Sequence, residues 1–273
     1  MKNSIPLSVR NIIAKPIRSY INERVHRILR STDHVFPIEE TDPDDIFIVG
    51  YPKSGHTWFQ NLVAGVVYGA DPEHLPDRVV QDLIPDLHRK LYYKRYQKPM
   101  FFKSHNLPHP SCRRVIYILR DGRDVMVSYY HFLQAIHGKE IDFQELICNK
   151  NGYTHHKWHE HVEAWMQNPF DAQIIIIKYE DLKRDPVCEL RRFCDFVGLS
   201  REDTWLEFVA RKAQFETMQR KEQRYGWDNP KWPGDKFFVR RGAVGSHKDE
   251  MPPDVLDMFV RDAHGTLAKF GYL

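Results

Sequence analysis

The chain has 273 residues, of which 42% are hydrophobic, 28% charged and 13% aromatic. This composition is typical of a globular protein and disfavours the disordered, collagen-like and coiled-coil classes. Lys and Arg (40) nearly balance Asp and Glu (37), so the net charge of +3 gives no indication of nucleic-acid binding. An anionic small ligand remains compatible with a local basic pocket.

The cysteines and the apolar segments indicate the compartment. The four cysteines form no CxxC pair and are too few for a disulfide framework, which favours a reducing environment. No uncharged apolar run approaches the roughly 20 residues that span a bilayer, and the first residues lack a signal-peptide core. We therefore expect a cytoplasmic protein.

Residues 1–30 carry seven basic side chains and one acidic one, with Ile17, Ile21, Val25 and Ile28 at helical spacing. The pattern predicts a basic amphipathic helix within an N-terminal extension, residues 1–42, ahead of a single catalytic domain at 43–273. The helix either packs on the domain with its basic face in solvent or contacts an anionic membrane surface.

Short, continuous, β-branched runs recur at 46–49, 115–119 and 174–177, and each is followed within a few residues by a helix-like stretch. Runs without polar alternation indicate strands buried on both faces. Alternation of strand and helix makes the sheet parallel. The predicted fold is α/β, with a central, mostly parallel sheet and helices on both faces. Residues 225–250 are predicted to form a long loop.

Ligands of such sheets bind beyond the carboxyl ends of the strands, so the residues after each run are the candidate site. Gly50–Thr57, here called the phosphate loop, reads G-x-x-x-x-G-H-T. This is the phosphate-binding pattern of the nucleotide triphosphatases, with His56 in place of their lysine and Lys53 inside the loop. A loop between a buried strand and a helix can wrap phosphate oxygens with backbone N–H groups.

The segment Tyr51–Trp58, YPKSGHTW, resembles the signature of the cytosolic-type sulfotransferases, which use 3′-phosphoadenosine 5′-phosphosulfate (PAPS). Residues 120–132 resemble the segment in which an arginine and a serine of this family grip the 3′-phosphate. Residues 240–245, RRGAVG, resemble its late basic-glycine loop. The resemblance covers about 200 residues in the family's order. It implies the same P-loop-like α/β fold and transfer of a sulfuryl group from PAPS to an acceptor hydroxyl, less often an amine.

The resemblance also assigns the donor site. It places the phosphosulfate at the phosphate loop, the 3′-phosphate at residues 120, 128 and 240–242, and the adenine between aromatic rings. The implied donor-binding residues are Lys53, Ser54, Gly55, His56, Thr57, Trp58, Arg120, Ser128, Tyr179, Phe215, Arg240, Arg241 and Gly242. Charged donors at both anionic ends would distinguish PAPS from ATP.

The implied catalytic residues are His105, Lys53, Lys103 and Ser128. His105 falls at the family's catalytic histidine, and an imidazole can take the proton of an acceptor hydroxyl as the sulfuryl group transfers. Lys53 and Lys103 would neutralise charge on the leaving 3′,5′-diphosphate, which needs no metal. For Phe215 a plain core role is an equal alternative.

Four histidines crowd one helix-like stretch, and His155 and His159 have the i,i+4 spacing of a metal pair. No HExxH pattern accompanies them, so no metal is predicted. The acceptor is expected to be a small or lipid-like molecule held by aromatic side chains from variable segments. The candidates are Tyr92, Tyr93, Tyr96, Phe132, Trp227 and Trp232.

Two other functions remain open on the residues alone. One is a P-loop kinase or another nucleoside-triphosphate enzyme, which His56 in the lysine position disfavours. The other is a non-catalytic module that binds an adenine nucleotide or docks on a membrane, which would leave His105 and Lys103 without a role. The family's short carboxyl-terminal dimer motif has no match, so an oligomeric state is not predicted.

Overall fold

A computed structural model describes residues 23–138, 140–150, 152–229 and 231–273. The predicted amphipathic helix therefore lies mostly outside the described residues, although 23–30 are helical. The strands are β1 (Val35–Pro37), β2 (Ile46–Val49), β3 (Tyr92–Lys94), β4 (Phe101–Ser104), β5 (Arg114–Leu119) and β6 (Gln173–Lys178).

The described residues form a central sheet in the order β4-β2-β5-β6, with every neighbouring pair parallel. A separate antiparallel ribbon pairs β1 with β3. All residues of β2 are buried, as expected for a strand covered on both sides. The parallel α/β sheet predicted from the apolar runs is confirmed.

Helices connect these strands and cover both faces. They are α1 (His56–Tyr68), α2 (Asp77–Leu83), α3 (Gly122–His137), α4 (Phe143–Cys148), α5 (Trp158–Gln167), α6 (Tyr179–Arg184), α7 (Pro186–Val197), α8 (Asp203–Lys212), α9 (Phe215–Tyr225), α10 (His247–Glu250) and α11 (Pro253–Lys269).

Alternate residues of β2 feed two separate cores. Phe47 and Val49 pack in a cluster that includes residues of α3, α5 and α11. Ile46 and Ile48 pack on the opposite face, in a cluster that includes residues of α1, α7 and α8. This arrangement follows from the two-residue period of a strand and confirms the prediction of helices on both faces.

The predicted long loop is confirmed for residues 226–246, which contain no helix or strand where they are described. It is wrong at its ends, because Tyr225 closes α9 and the last four residues form α10. Within the described ranges, no helix is long and apolar enough to cross a bilayer.

Candidate active site

A cavity of about 370 Å³ opens where β2, β4 and β5 end, and nearly all the predicted site residues line it. Parallel strands present their carboxyl ends at one edge of the sheet, so the segments that follow them converge there. Among the residues predicted to bind the donor or to act in catalysis, Ser54 alone is not at the wall. Its hydroxyl is buried and has no hydrogen-bond partner within the described parts of the chain.

The phosphate loop leads from β2 into α1 through two left-handed residues, Lys53 (φ 72°) and Gly55 (φ 107°). A Cβ on Gly55 would lie 2.7 Å from Cδ2 of Tyr179, so the turn requires glycine on both conformational and steric grounds. The first turn of α1 contains no acidic residue. Its amide dipoles therefore present a positive end to the cavity.

The Lys53 ammonium lies among aromatic rings. Its Nζ is 3.7 Å from the ring centroid of Phe238 and 4.6 Å from that of Phe132. Burial, reinforced by the nearby charges of Lys103 and Arg120, lowers the pKa of Lys53 to about 7. In its charged form the side chain is held at the cavity wall by these cation–π contacts. Because its pKa is lowered, the ammonium can lose its proton near pH 7.

His56 opens α1 and is only 3% exposed. Neither of its ring nitrogens has a hydrogen-bond partner among the residues described. Its ring stands edge-to-face against that of His105, with the centroids 4.5 Å apart. Burial lowers the pKa of His56 well below its ordinary value, so it packs as a neutral ring.

Lys103 lies on β4 and is paired with a carboxylate that the sequence reasoning missed. Its Nζ is 2.8 Å from Oδ2 of Asp86, and both side chains are largely buried. Asp86 also accepts the backbone N–H of His88 at 2.9 Å. Burial alone would raise the pKa of Asp86, but the Lys103 charge holds it below the ordinary value. The pair has no sequence signature, because its members lie on separate segments.

His105 is the first residue after β4. Its Nδ1 is 2.8 Å from the carbonyl oxygen of Gly50. A carbonyl can only accept, so Nδ1 carries the proton of the neutral ring and Nε2 keeps a free lone pair. Burial and the Lys103 charge lower the pKa of His105 to about 3. The ring is therefore neutral near pH 7, in the tautomer that a base acting through Nε2 requires.

Arg120 follows β5 and is 8% exposed. Its terminal nitrogens donate to the carbonyl oxygens of Lys53 (3.3 Å) and Ala243 (3.0 Å). The guanidinium carbon lies 4.4 Å from the ring centroid of Tyr179. Its Nε is buried without a partner in the described chain, which fits an anion site beside it. Ser128, on α3, lines the same cavity.

The late loop, residues 240–246, brings two arginines to the cavity wall, but both are engaged. Glu250 Oε2 lies 2.7 Å from Nη1 of Arg240, and Glu250 Oε1 lies 2.6 Å from Nη1 of Arg241. His131 Nε2 also lies 2.7 Å from Glu250 Oε2. Burial opposes the shift, yet the hydrogen bonds from Arg240 and Arg241 lower the pKa of Glu250 to about 2. The sequence reasoning did not identify Glu250.

Asp124 anchors the base of the late loop. Its carboxylate accepts the backbone N–H groups of Gly245 (2.7 Å) and His247 (3.0 Å). The same carboxylate lies 3.8 Å from the Arg120 guanidinium. The loop is thus fixed at its carboxyl end, close to the arginine that follows β5.

Three aromatic residues assigned to the adenine line the cavity together. The indole of Trp58 donates to the carbonyl of Ala213 (2.7 Å), and its ring stands against that of Tyr179. Phe215 packs on the late loop, where a Cβ on Gly242 (φ 57°) would lie 2.4 Å from Cδ2 of Phe215. The close approach at Gly242 is therefore to this ring.

Only some of the aromatic residues predicted to hold the acceptor line a cavity. Phe132 and Trp227 line the main cavity, and Trp232 lines an adjoining one. The prediction is wrong for Tyr92, Tyr93 and Tyr96, which are absent from both walls. Tyr92 and Tyr93 belong to β3, which pairs with β1 in a ribbon separate from the central sheet. Strand pairing of this kind leaves no mark in the sequence.

The helix-like stretch predicted around the four histidines is wrong at its start, because α5 begins only at Trp158 and leaves His155 outside the helix. Across the described ranges, no group of three or more His, Cys, Asp or Glu side chains is placed to hold a metal ion. Arg123 pairs with Asp121 (2.7 Å), which gives it a structural role.

Comparison with known proteins gives independent evidence of the family to which the chain belongs. Residues 43–271 match the model of the sulfotransferase domain. The chain is 30% identical to sulfotransferase 1C2 of Oryctolagus cuniculus over 77% of this chain and 78% of that protein. It is 33% identical to sulfotransferase 4A1 of Mus musculus over 63% of this chain and 65% of that protein.

Solved structures share the fold. A retinol dehydratase in complex with androsterone and PAP (3′,5′-adenosine diphosphate) matches with a TM-score of 0.64 at 18% identity, covering 84% of this chain and 82% of that one. A mouse sulfotransferase complexed with PAP matches with a TM-score of 0.61 at 22% identity, covering 81% and 84%. At these identities the likeness establishes the fold.

Proposed function

The chain belongs to the sulfotransferase family and transfers a sulfuryl group from PAPS; on that premise we propose which of its residues hold the donor and which carry the chemistry. One observation carries the proposal. A single cavity is lined by the phosphate loop, by the arginines after β5 and in the late loop, and by His105. The sulfotransferase matches do not favour the kinase-type alternative.

The donor is proposed to lie with its phosphosulfate on the phosphate loop and its adenine among Trp58, Tyr179 and Phe215. Left-handed backbone at Lys53 and Gly55 and the positive end of α1 support the first placement. The unpartnered Nε of Arg120 supports an anion near Ser128, where the 3′-phosphate is placed. Arg240 and Arg241 complete this end when they exchange Glu250 for phosphate.

His105 is proposed as the general base. The acceptor O–H gives its proton to Nε2 as the oxygen attacks sulfur and the bond from sulfur to the 5′-phosphate oxygen breaks. The products are a sulfate ester and 3′,5′-adenosine diphosphate (PAP). Lys53 counters negative charge on the leaving oxygen, and Lys103 adds charge moderated by Asp86. A low pKa makes His105 a weak base, so much of its value lies in placement.

The acceptor is proposed to be an apolar alcohol or phenol. Phe132, Trp227 and Phe238 form one wall near the phosphate loop, and Trp227 stacks on Phe238 with ring centroids 3.9 Å apart. Such a wall offers area and few polar partners, which suits a flat, apolar molecule with one hydroxyl. An amine is the less favoured acceptor.

Contact of the N-terminal segment with an anionic membrane is a second proposal. Among the described residues 23–30, Val25 (46%) and Ile28 (60%) are exposed, whereas His26 and Leu29 are the partly buried positions. Exposed apolar side chains beside Arg27 and Arg30 suit the interface of an acidic bilayer. Sedimentation with vesicles of phosphatidylserine and phosphatidylcholine tests it, and equal binding after Val25→Ser with Ile28→Ser would refute it.

Nucleotide preference tests the donor site. PAP should bind more tightly than 5′-AMP by roughly 3 to 6 kcal/mol, because only PAP offers a 3′-phosphate to two or three charged donors. Calorimetry with both nucleotides and with ATP, without magnesium, measures this difference. Equal affinities for PAP and 5′-AMP would overturn the placement at Arg120, Ser128 and Arg240.

A further inference from the structure

The peptide of His105 lies where the sheet stops holding the chain. The ladder between β2 and β4 ends at the pair Val49 and Ser104, one residue earlier. The N–H and C=O groups of His105 therefore need other partners. Its N–H donates to Nε2 of His88 at 3.1 Å, and its C=O lies 3.1 Å from Nε2 of His161.

His161 is 1% exposed and has a defined tautomer. The His105 carbonyl can only accept, so Nε2 of His161 carries the proton and donates it. Its Nδ1 is then an acceptor, and the hydroxyl of Tyr117 lies 2.9 Å away and donates to it. Tyr117 is itself fully buried on β5. Tyr117 and His161 thus form a chain of two hydrogen bonds that connects β5 to the backbone of His105.

The helix that carries His161 provides a second clamp at the same turn. Trp165, one turn along α5, donates its indole N–H to the carbonyl of Asn106 at 3.0 Å. Residues four apart lie on one face of a helix, so α5 presents two donors to two successive carbonyls. Burial lowers the pKa of His161 to about 4, which keeps the ring neutral near pH 7.

We propose that His161, held by Tyr117, is a positioning residue that orients the backbone of His105 and so aims Nε2 at the acceptor hydroxyl. The inference rests on the proposed role of His105 as base. The ring bond to Gly50 fixes the tilt of the imidazole, whereas the bond from His161 fixes the peptide from which the ring extends. Loss of the second bond lets the whole residue turn while the donor site stays intact.

A pair of amide substitutions separates the two bonds of His161. The amide nitrogen of Gln reaches the position of Nε2, so His161→Gln keeps a donor for the His105 carbonyl. His161→Asn reaches only the position of Nδ1, so it keeps a partner for Tyr117 and loses that donor. With an unactivated alcohol as acceptor, kcat of His161→Asn should fall roughly 10- to 100-fold. His161→Gln should stay within about threefold, by the same reasoning.

The remaining readouts exclude a general structural effect. PAP affinity should be unchanged in both variants. A nitrophenol, already ionised at the assay pH, should lose much less activity than the alcohol, because it needs no base. His159→Asn, on the same helix, is the matched control and should behave as wild type. Tyr117→Phe gives a second, smaller loss of kcat if His161→Asn does not fold.

The outcomes distinguish the inference from its premise. Substantial activity of His105→Ala on the alcohol would overturn the proposed base. An inactive His105→Ala beside a fully active His161→Asn, or beside a fully active Tyr117→Phe where His161→Asn does not fold, would overturn the inference alone. Equal losses in His161→Gln and His161→Asn would also overturn it, since the donor to the His105 carbonyl would then be irrelevant.

Discussion

Under the proposed donor placement, Glu250 competes with the donor for the two arginines of the late loop, so Glu250→Gln should tighten PAP binding. The variant keeps the shape of the side chain and removes its charge. The Glu250 pKa near 2 means that wild type carries this charge throughout the usual assay range. The effect should therefore be nearly constant between pH 6 and 8.

The size of the expected change in PAP affinity depends on how far the side chains of Arg240 and Glu250 are exposed to solvent. The side chain of Arg240 is 35% exposed and that of Glu250 18%, so solvent screens the pair considerably. Such a pair contributes roughly 0.2 to 1 kcal/mol, which corresponds to about a 1.4- to 5-fold change in affinity. Release of Arg241 acts in the same direction. Removing a carboxylate near a dianionic phosphate adds to the effect.

Calorimetry with PAP compares wild type, Glu250→Gln and the control Asp249→Asn. The Asp249 side chain is 68% exposed and its carboxylate lies 3.2 Å from Arg241, so its substitution should change affinity less. Weaker PAP binding by Glu250→Gln would mean that the carboxylate orients the arginines for phosphate. That result would refute the competition.

Three further predictions concern single residues. Arg240→Ala should raise the KM for PAPS and leave the acceptor KM nearly unchanged, since the arginine is proposed to hold a part of the donor remote from sulfur. Initial rates against each substrate check this, and an unchanged donor KM contradicts it. His105→Ala should bind PAP normally while kcat falls roughly 10²- to 10⁴-fold, and the wild-type rate should show no ascending limb from this residue between pH 5 and 8, because its pKa lies near 3. Lys53 has a pKa near 7 in the free protein, and the bound 5′-phosphate of PAP should raise it, so PAP binding at pH 8 should take up a proton and weaken as pH rises. Calorimetry in two buffers of different ionisation enthalpy should detect this uptake in wild type and find it missing in Lys53→Met.

The sequence predicted what depends on local pattern. Unbroken apolar runs identified Ile46–Val49 and its neighbours as buried strands. The polar residues that directly follow these strands located the cavity. The phosphate loop could be recognised because its glycines, lysine and following helix are contiguous. Side chains placed within one segment, such as His105 after β4, were assigned correctly to the cavity wall.

Pairings between distant segments could not be predicted in this way. Glu250, on α10, forms an ion pair with Arg240 of the late loop. Asp86, which follows α2, forms an ion pair with Lys103 on β4. An acid near a base in sequence is common, and nothing in the residue types marks these two. His161 was one of four clustered histidines, and only the start of α5 at Trp158 determines which way it faces.

The hydrogen bond between His105 and Gly50 joins the proposed base to the phosphate loop. Trp227 and Asn229, by contrast, lie on the long segment between α9 and α10 and touch the cavity from outside the sheet. Substitutions in that segment can alter which molecules enter without moving the base. The scaffold thus places the proposed acceptor wall and the proposed base on separate segments, and redesign for a new acceptor should begin at Trp227 and Asn229.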